Sequence, residues 1–209
     1  MNTAHSDTPQ DSRMTPAAKA KLRKVMRGTE NGTDKGLRGA LLLALSEETE
    51  REYQLSIGRV QNTSLNEERR AKRRRLETWL DEQTRAETGK HKRSKDDFLR
   101  QVEKQAAYTL LNRLVILRIM EATGLRKPKV VTGGWNSPGY KDFREFATDL
   151  CRHQGDPSEG YAFLLRLIFE DLAIDLPGLY GSAGIADLVP VPASVLRRVV
   201  EAFDDPELE

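Results

Sequence analysis

The sequence predicts a mainly α protein, a multi-helix bundle around a long buried central helix with little or no sheet. Three observations predict it. Residues 105–120 are almost continuously apolar, and Ala106, Ala107, Leu110, Leu111, Leu114, Val115, Ile116, Leu117, Ile119 and Met120 occupy nearly every direction around a helical axis. The flanking segments repeat apolar residues three and four apart, the helical period, and no run alternates apolar with polar residues as a half-buried strand does.

The elements follow in chain order. Residues 1–14 are polar and cannot offset the entropy of ordering, so they read as a flexible tail. Thr15 and Pro16 form an N-cap and first-turn pair, and Leu22, Val25 and Met26 give a short helix an apolar face that ends near Gly28. After a turn-rich stretch, Leu37, Leu41, Leu42, Leu45 and Tyr53 keep helical spacing to about residue 57. Ser64 and Glu67 have the spacing of a capping box, opening a helix to about Glu87 that Leu76, Trp79 and Leu80 anchor.

Ser94 and Asp97 repeat that spacing, and Gly124 is a stop. The central helix between them has roughly 28 residues, on the order of 42 Å at about 1.5 Å per residue. With apolar residues all round, it needs neighbours on several sides. Beyond it, residues 129–140 read as a structured loop, and Ser137 and Pro138 start a helix whose Tyr140, Phe143, Phe146 and Leu150 face inward. Ser158 precedes another apolar helix from Tyr161 through Leu172, residues 176–184 form a Pro/Gly turn region, and Pro192 starts a last helix carrying Val195, Leu196, Val199, Val200 and Phe203.

Charge divides the chain. Lys and Arg outnumber Asp and Glu by 30 to 19 through Arg144, whereas the remainder has 4 against 13, so the two parts carry about +11 and −9. A basic N-terminal part favours a polyanionic partner, and an acidic C-terminal part argues against its lying on phosphates. The organisation expected is a tail over 1–14, a basic helical region over 15–93 and a helical core module over 94–209. Arg69, Arg70, Lys72, Arg73, Arg74 and Arg75 crowd two turns of one helix, and Lys90, Lys92, Arg93 and Lys95 follow. These ten are the candidate nucleic-acid-binding residues, holding DNA through its phosphates with a strong salt dependence. Glu68 with Lys72 and Arg73 with Glu77 are available four-residue ion pairs.

Several chemistries are disfavoured. Cys151 is the only cysteine, so no internal disulfide forms, and His5, His91 and His153 lack ligand spacing, so no metal is expected. The apolar run 114–120 is interrupted by Arg118 and is too short to span a bilayer, and the N-terminus has no signal-peptide core, which makes a cytoplasmic setting the default. Asn136-Ser137-Pro138-Gly139-Tyr140 is only faintly similar to the Asn/Asp-Pro-Pro-Tyr motif of amino-methyltransferases, because one proline is missing and Gly139 intervenes. No Gly-rich nucleotide loop or Ser/His/Asp set is present either, so no catalytic residue is assigned. Within the central helix, Asn112, Arg113, Arg118 and Glu121 read as polar groups that fix how helices dock, and Arg118 and Glu121 have pairing spacing.

The central stretch Ala106-Ala107-Tyr108-Thr109-Leu110-Leu111-Asn112-Arg113-Leu114-Val115-Ile116-Leu117-Arg118-Ile119-Met120-Glu121 resembles the N-terminal helical region of large adenine-specific DNA methyltransferases of phage-defence systems, of the DISARM and BREX types and related restriction-modification methylases. The likeness continues through Gly133-Gly134-Trp135-Asn136-Ser137-Pro138-Gly139-Tyr140, Asp175-Leu176-Pro177-Gly178-Leu179-Tyr180-Gly181 and Asp204-Asp205-Pro206-Glu207-Leu208-Glu209. It implies a helical module that precedes an absent catalytic domain and supports contact with DNA, that domain or other defence subunits. It also implies S-adenosylmethionine as cofactor of the parent protein, with none in this segment. A stand-alone helical adaptor of a defence complex is the alternative.

Overall fold

The computed structural model describes residues 16–28, 36–57, 65–88, 92–152 and 155–204, apart from the side chains of residues 17–19 and 22. The expected tail over 1–14, the caps Thr15 and Ser64, Lys90 and the Leu22 side chain lie outside them. Among the described residues there is no strand, and the architecture is the expected multi-helix packing. The helices are α1 (Pro16–Arg27), α2 (Gly36–Tyr53), α3 (Glu67–Ala86), α4 (Lys95–Ala122), α5 (Pro138–Phe146), α6 (Thr148–Cys151), α7 (Tyr161–Asp175), α8 (Pro177–Tyr180) and α9 (Ala193–Phe203), with short 3-10 turns at Gly134–Asn136 and Gly184–Leu188. None of them is long and apolar enough to cross a membrane.

Helix α1 stops at Gly28 and packs on α2 through a backbone contact. A Cβ on Gly36 would lie 2.3 Å from the Gly28 nitrogen, and its φ of +61° suits glycine, so this close approach depends on the missing side chain. Along α2, Leu37, Leu41, Leu45, Thr49 and Tyr53 recur every fourth residue and are all buried. This helix ends four residues earlier than its spacing suggests, because Gln54 turns to a left-handed φ of 50°. Helix α3 begins with Asn66, whose side chain accepts the Arg69 N–H at 2.9 Å. Its buried Leu76 and Leu80 join Tyr53 and Phe98 in a small satellite core, with Trp79 edge-on to Phe98.

Helix α4 has the capping box its sequence specifies: Ser94 Oγ accepts the Asp97 N–H at 3.2 Å, and Asp97 accepts the Ser94 N–H at 2.9 Å. Val102, Ala107, Leu111, Leu114 and Leu117 enter a core shared with α2, α7 and α9. Burying each such leucine contributes on the order of 2 kcal/mol. The helix is not enclosed on all sides, however. Tyr108, Val115 and Ile119 are 36%, 37% and 50% exposed, so one of its faces is open although apolar residues surround the axis.

The C-terminal helices close the other side of α4. Tyr161, Leu165, Ile168 and Leu172 of α7 are buried, as are Val195, Leu196, Val199, Val200 and Phe203 of α9. One expectation is corrected here. Tyr140 is buried and Phe143 packs against the core, but Phe146 is 93% exposed and Leu150 is also exposed. The helix breaks at Ala147, whose φ and ψ of −113° and 46° are not helical, and this takes Leu150 out of the α5 register. Phe146 precedes the break and is turned outward by its place on α5, roughly 120° round the axis from buried Tyr140.

Candidate nucleic-acid interface

Helix α3 positions the basic run, and its neighbours neutralise much of it. Arg69 pairs with Glu52 of α2 at 2.7 Å, and Lys72 pairs with Glu68 at 2.6 Å. That pair holds the Glu68 carboxyl below its ordinary range. Arg73 is buried and faces inward: its Nε lies 2.9 Å from Glu77, and its Nη2 donates to the Ile57 carbonyl at 2.7 Å. The buried guanidinium ties α3 to the turn that follows α2 and is not part of the outer surface. Arg70, Arg74 and Arg75 remain exposed.

The segment after α3 shows the same pattern. Arg93 forms a two-pronged pair with Glu87 at 2.8 and 3.0 Å, donates to Gln101 and lies over the Phe98 ring at 4.5 Å. Its side-chain hydrogen bonds, with its charge, hold the Glu87 carboxyl below the usual range. Lys95 pairs with Asp81, and Lys92 is exposed. Of the ten predicted residues, Arg74, Arg75 and Lys92 are exposed and belong to none of the ion pairs described above. Arg74 and Arg75 border a shallow groove of about 400 Å³ with Thr78, Trp79, Glu82 and Ile185. Sequence spacing alone gives no sign of this groove, since Ile185 reaches it from a 3-10 turn far along the chain.

A second constellation is built on the polar residues of α4. Glu121 is buried, and its carboxylate accepts the N–H groups of Val130, Val131 and Thr132 at 2.7 to 2.9 Å and the Thr132 hydroxyl at 2.7 Å. Its two oxygens thus fix the loop after α4. Arg118 Nε donates to the Phe203 carbonyl at 3.3 Å, and Asp204 accepts the Gly133 N–H at 2.6 Å. Arg113 donates to the carbonyls of Leu179 and Gly181 at 3.1 and 2.6 Å, and the Tyr180 hydroxyl donates back to the Arg113 carbonyl at 2.9 Å. The docking role expected of Arg113, Arg118 and Glu121 is what these bonds perform, whereas Asn112 is exposed.

Beside Arg113 lies a mostly apolar cleft of about 550 Å³, bordered by Ala106, Phe169, Tyr180 and Leu196. Asn136 is exposed in the 3-10 turn, while the Ser137 side chain accepts the Tyr140 N–H and caps α5. Among the described residues no group of three or more His, Cys, Asp or Glu side chains can hold a metal ion. Comparison of the chain with family models, curated proteins and solved structures gives no match.

Proposed function

We propose that this chain is the N-terminal helical module of a site-specific adenine-N6 DNA methyltransferase in a bacterial phage-defence or restriction-modification system, working in the cytoplasm. It packs on the catalytic domain and supports contact with DNA or partner subunits. S-adenosylmethionine belongs to the catalytic domain and not to these residues. One observation carries the reading: the described parts of the stretches that bear the resemblance, far apart in sequence, are bonded to α4 or to one another. Arg113 binds Leu179 and Gly181, Glu121 binds the loop leading to Gly133, and Asp204 binds Gly133 itself. Their likeness is then that of one folded unit and not of scattered words.

Fluorescence anisotropy with labelled duplex DNA, repeated at several salt concentrations, tests the contact with DNA. Binding at low salt that weakens steeply as salt rises is expected from a phosphate-bound surface. Absence of binding even at low salt overturns it. Calorimetric titration with S-adenosylmethionine is expected to show no binding, and saturable heat would overturn the division of labour. A second reading, a non-enzymatic adaptor of a defence complex, is favoured by the ion pairing of Arg69, Lys72, Arg73, Arg93 and Lys95, which leaves less charge for phosphates than the sequence suggests.

A further inference from the structure

The open face of α4 has a regular spacing. Gln101, Gln105, Tyr108, Asn112, Val115, Ile119 and Ala122 follow one another at intervals of four and three residues, and all seven are exposed. Alternating steps of four and three are the seam of a two-stranded coiled coil, in which Gln105, Asn112 and Ile119 take one core position and Gln101, Tyr108, Val115 and Ala122 the other. The residues flanking this seam, including Val102, Leu111 and Arg118, are committed to the protein's own core. The seam, with exposed Lys104 beside it, is the part of α4 that a further helix can reach.

We propose that α4 pairs with α4 of a second copy of this chain, antiparallel and about a two-fold axis. In the register that brings unlike core positions together, facing residue numbers sum to a constant. Tyr108 then meets Ile119, Asn112 meets Val115 and Gln105 meets Ala122 of the other copy, and each pair occurs twice, as a two-fold interface requires. The aromatic and β-branched side chains face one another on both sides of the axis. The two Asn112 amides flank the axis, where a polar core residue specifies register and pairing at some cost in stability.

Charge selects the antiparallel arrangement. Arg38 and Lys104 lie over the Tyr108 ring at 5.4 and 5.9 Å, and Arg100 is one turn further toward the N-terminus. A parallel pair would bring these cations against their own copies. In the antiparallel pair Lys104 lies opposite position 123 of the other copy, at the C-terminal turn of its α4. That end carries the negative pole of the helix and has no basic residue in its last turn.

Sedimentation equilibrium of the full 209-residue chain is expected to show a reversible dimer, and Ile119→Glu is expected to weaken association at least tenfold. Because Ile119 is half exposed, circular dichroism and melting temperature of that variant should stay at the parent values, which separates lost pairing from lost folding. Orientation is read by oxidative cross-linking, for which buried Cys151 is a quiet background. An equimolar mixture of Tyr108→Cys and Ile119→Cys chains should form a disulfide dimer. Either variant alone should not, since like positions are about 16 Å apart along the axis at about 1.5 Å per residue. A monomer at all concentrations, or efficient linking of Tyr108→Cys to itself, overturns the proposal.

Discussion

Glu121 holds Val131 in place: a carboxylate oxygen on the last turns of α4 accepts the Val131 N–H at 2.9 Å, and both groups are buried. Val130 and Thr132 donate to the same carboxylate, so three successive amides of an irregular segment are satisfied by one side chain. Irregular backbone cannot be buried without such partners, because each orphaned polar group costs about 1–3 kcal/mol. Glu121→Ala is therefore expected to destabilise the chain by about 3–5 kcal/mol, the cost of breaking a buried charged network. Urea denaturation checks it. Glu121→Gln keeps an acceptor oxygen but not the charge, and should lose roughly half as much.

Arg113 acts on α8 as Glu121 acts on the preceding loop. Its planar fork reaches two carbonyls separated by one residue, Leu179 and Gly181, a geometry that a single ammonium does not reproduce. Arg113→Lys is expected to cost about 1–3 kcal/mol, in the range of hydrogen bonds to a charged group. Hydrogen exchange should localise the effect. The Gly181 amide, bonded to the Pro177 carbonyl, should exchange at least tenfold faster, while amides in the middle of α7 keep their protection.

Features whose causes are local were legible in the sequence. The Ser94–Asp97 box, the stop near Gly124 and the inward face of α9 depend on residues within one or two turns, so spacing discloses them. Leu150 departs from its expected inward face because the break at Ala147 has no proline or glycine to announce it, and Phe146 because it lies roughly 120° round α5 from Tyr140. The charge of the basic run was overstated for a different reason. Two of the short local pairs, Lys72 with Glu68 and Arg73 with Glu77, were visible, but Glu52 and Asp81 approach Arg69 and Lys95 from other elements. Backbone acceptors such as the Ile57 and Leu179 carbonyls carry no sequence signature at all. The seam on α4 was present as a four-three spacing, yet it was hidden by apolar residues on every other side of the same helix.

The partial neutralisation of α3 makes the contact with DNA testable residue by residue. Each phosphate contact contributes about 0.9 to the slope of log affinity against log salt. Arg74 and Arg75 are exposed, so the double change to alanine should reduce that slope by about two and lower affinity at least tenfold at low salt. Arg69→Ala and Lys72→Ala each remove a cation whose partner carboxylate stays behind, at Glu52 and Glu68. Their effect on the slope should be smaller than that of Arg74 or Arg75 singly. Equal losses at all four positions, measured by anisotropy between 50 and 200 mM salt, would show that the run acts as a diffuse charge and that the pairing described here does not persist on DNA.

Glu103 should make stability depend on pH. It is buried beside α2, where Ser46 hydrogen-bonds to its side chain, and its Oε1 has no hydrogen-bond partner. Burial pushes its carboxyl above the ordinary range, outweighing the opposing pull of the Ser46 hydrogen bond and of the Arg100 charge. The unfolded chain therefore releases this proton at a lower pH than the folded chain does. Its contribution to stability is fully present below the ordinary carboxylate range and declines as pH rises through the raised value. Glu103→Gln, which resembles the protonated form, should melt at the parent temperature near pH 3.5 and at a higher temperature near pH 7. Thermal melts across that interval check the sign: a variant that is less stable than the parent at pH 7 would mean that the ionised carboxylate is favourably held in the α2–α4 contact, and that burial does not govern its titration.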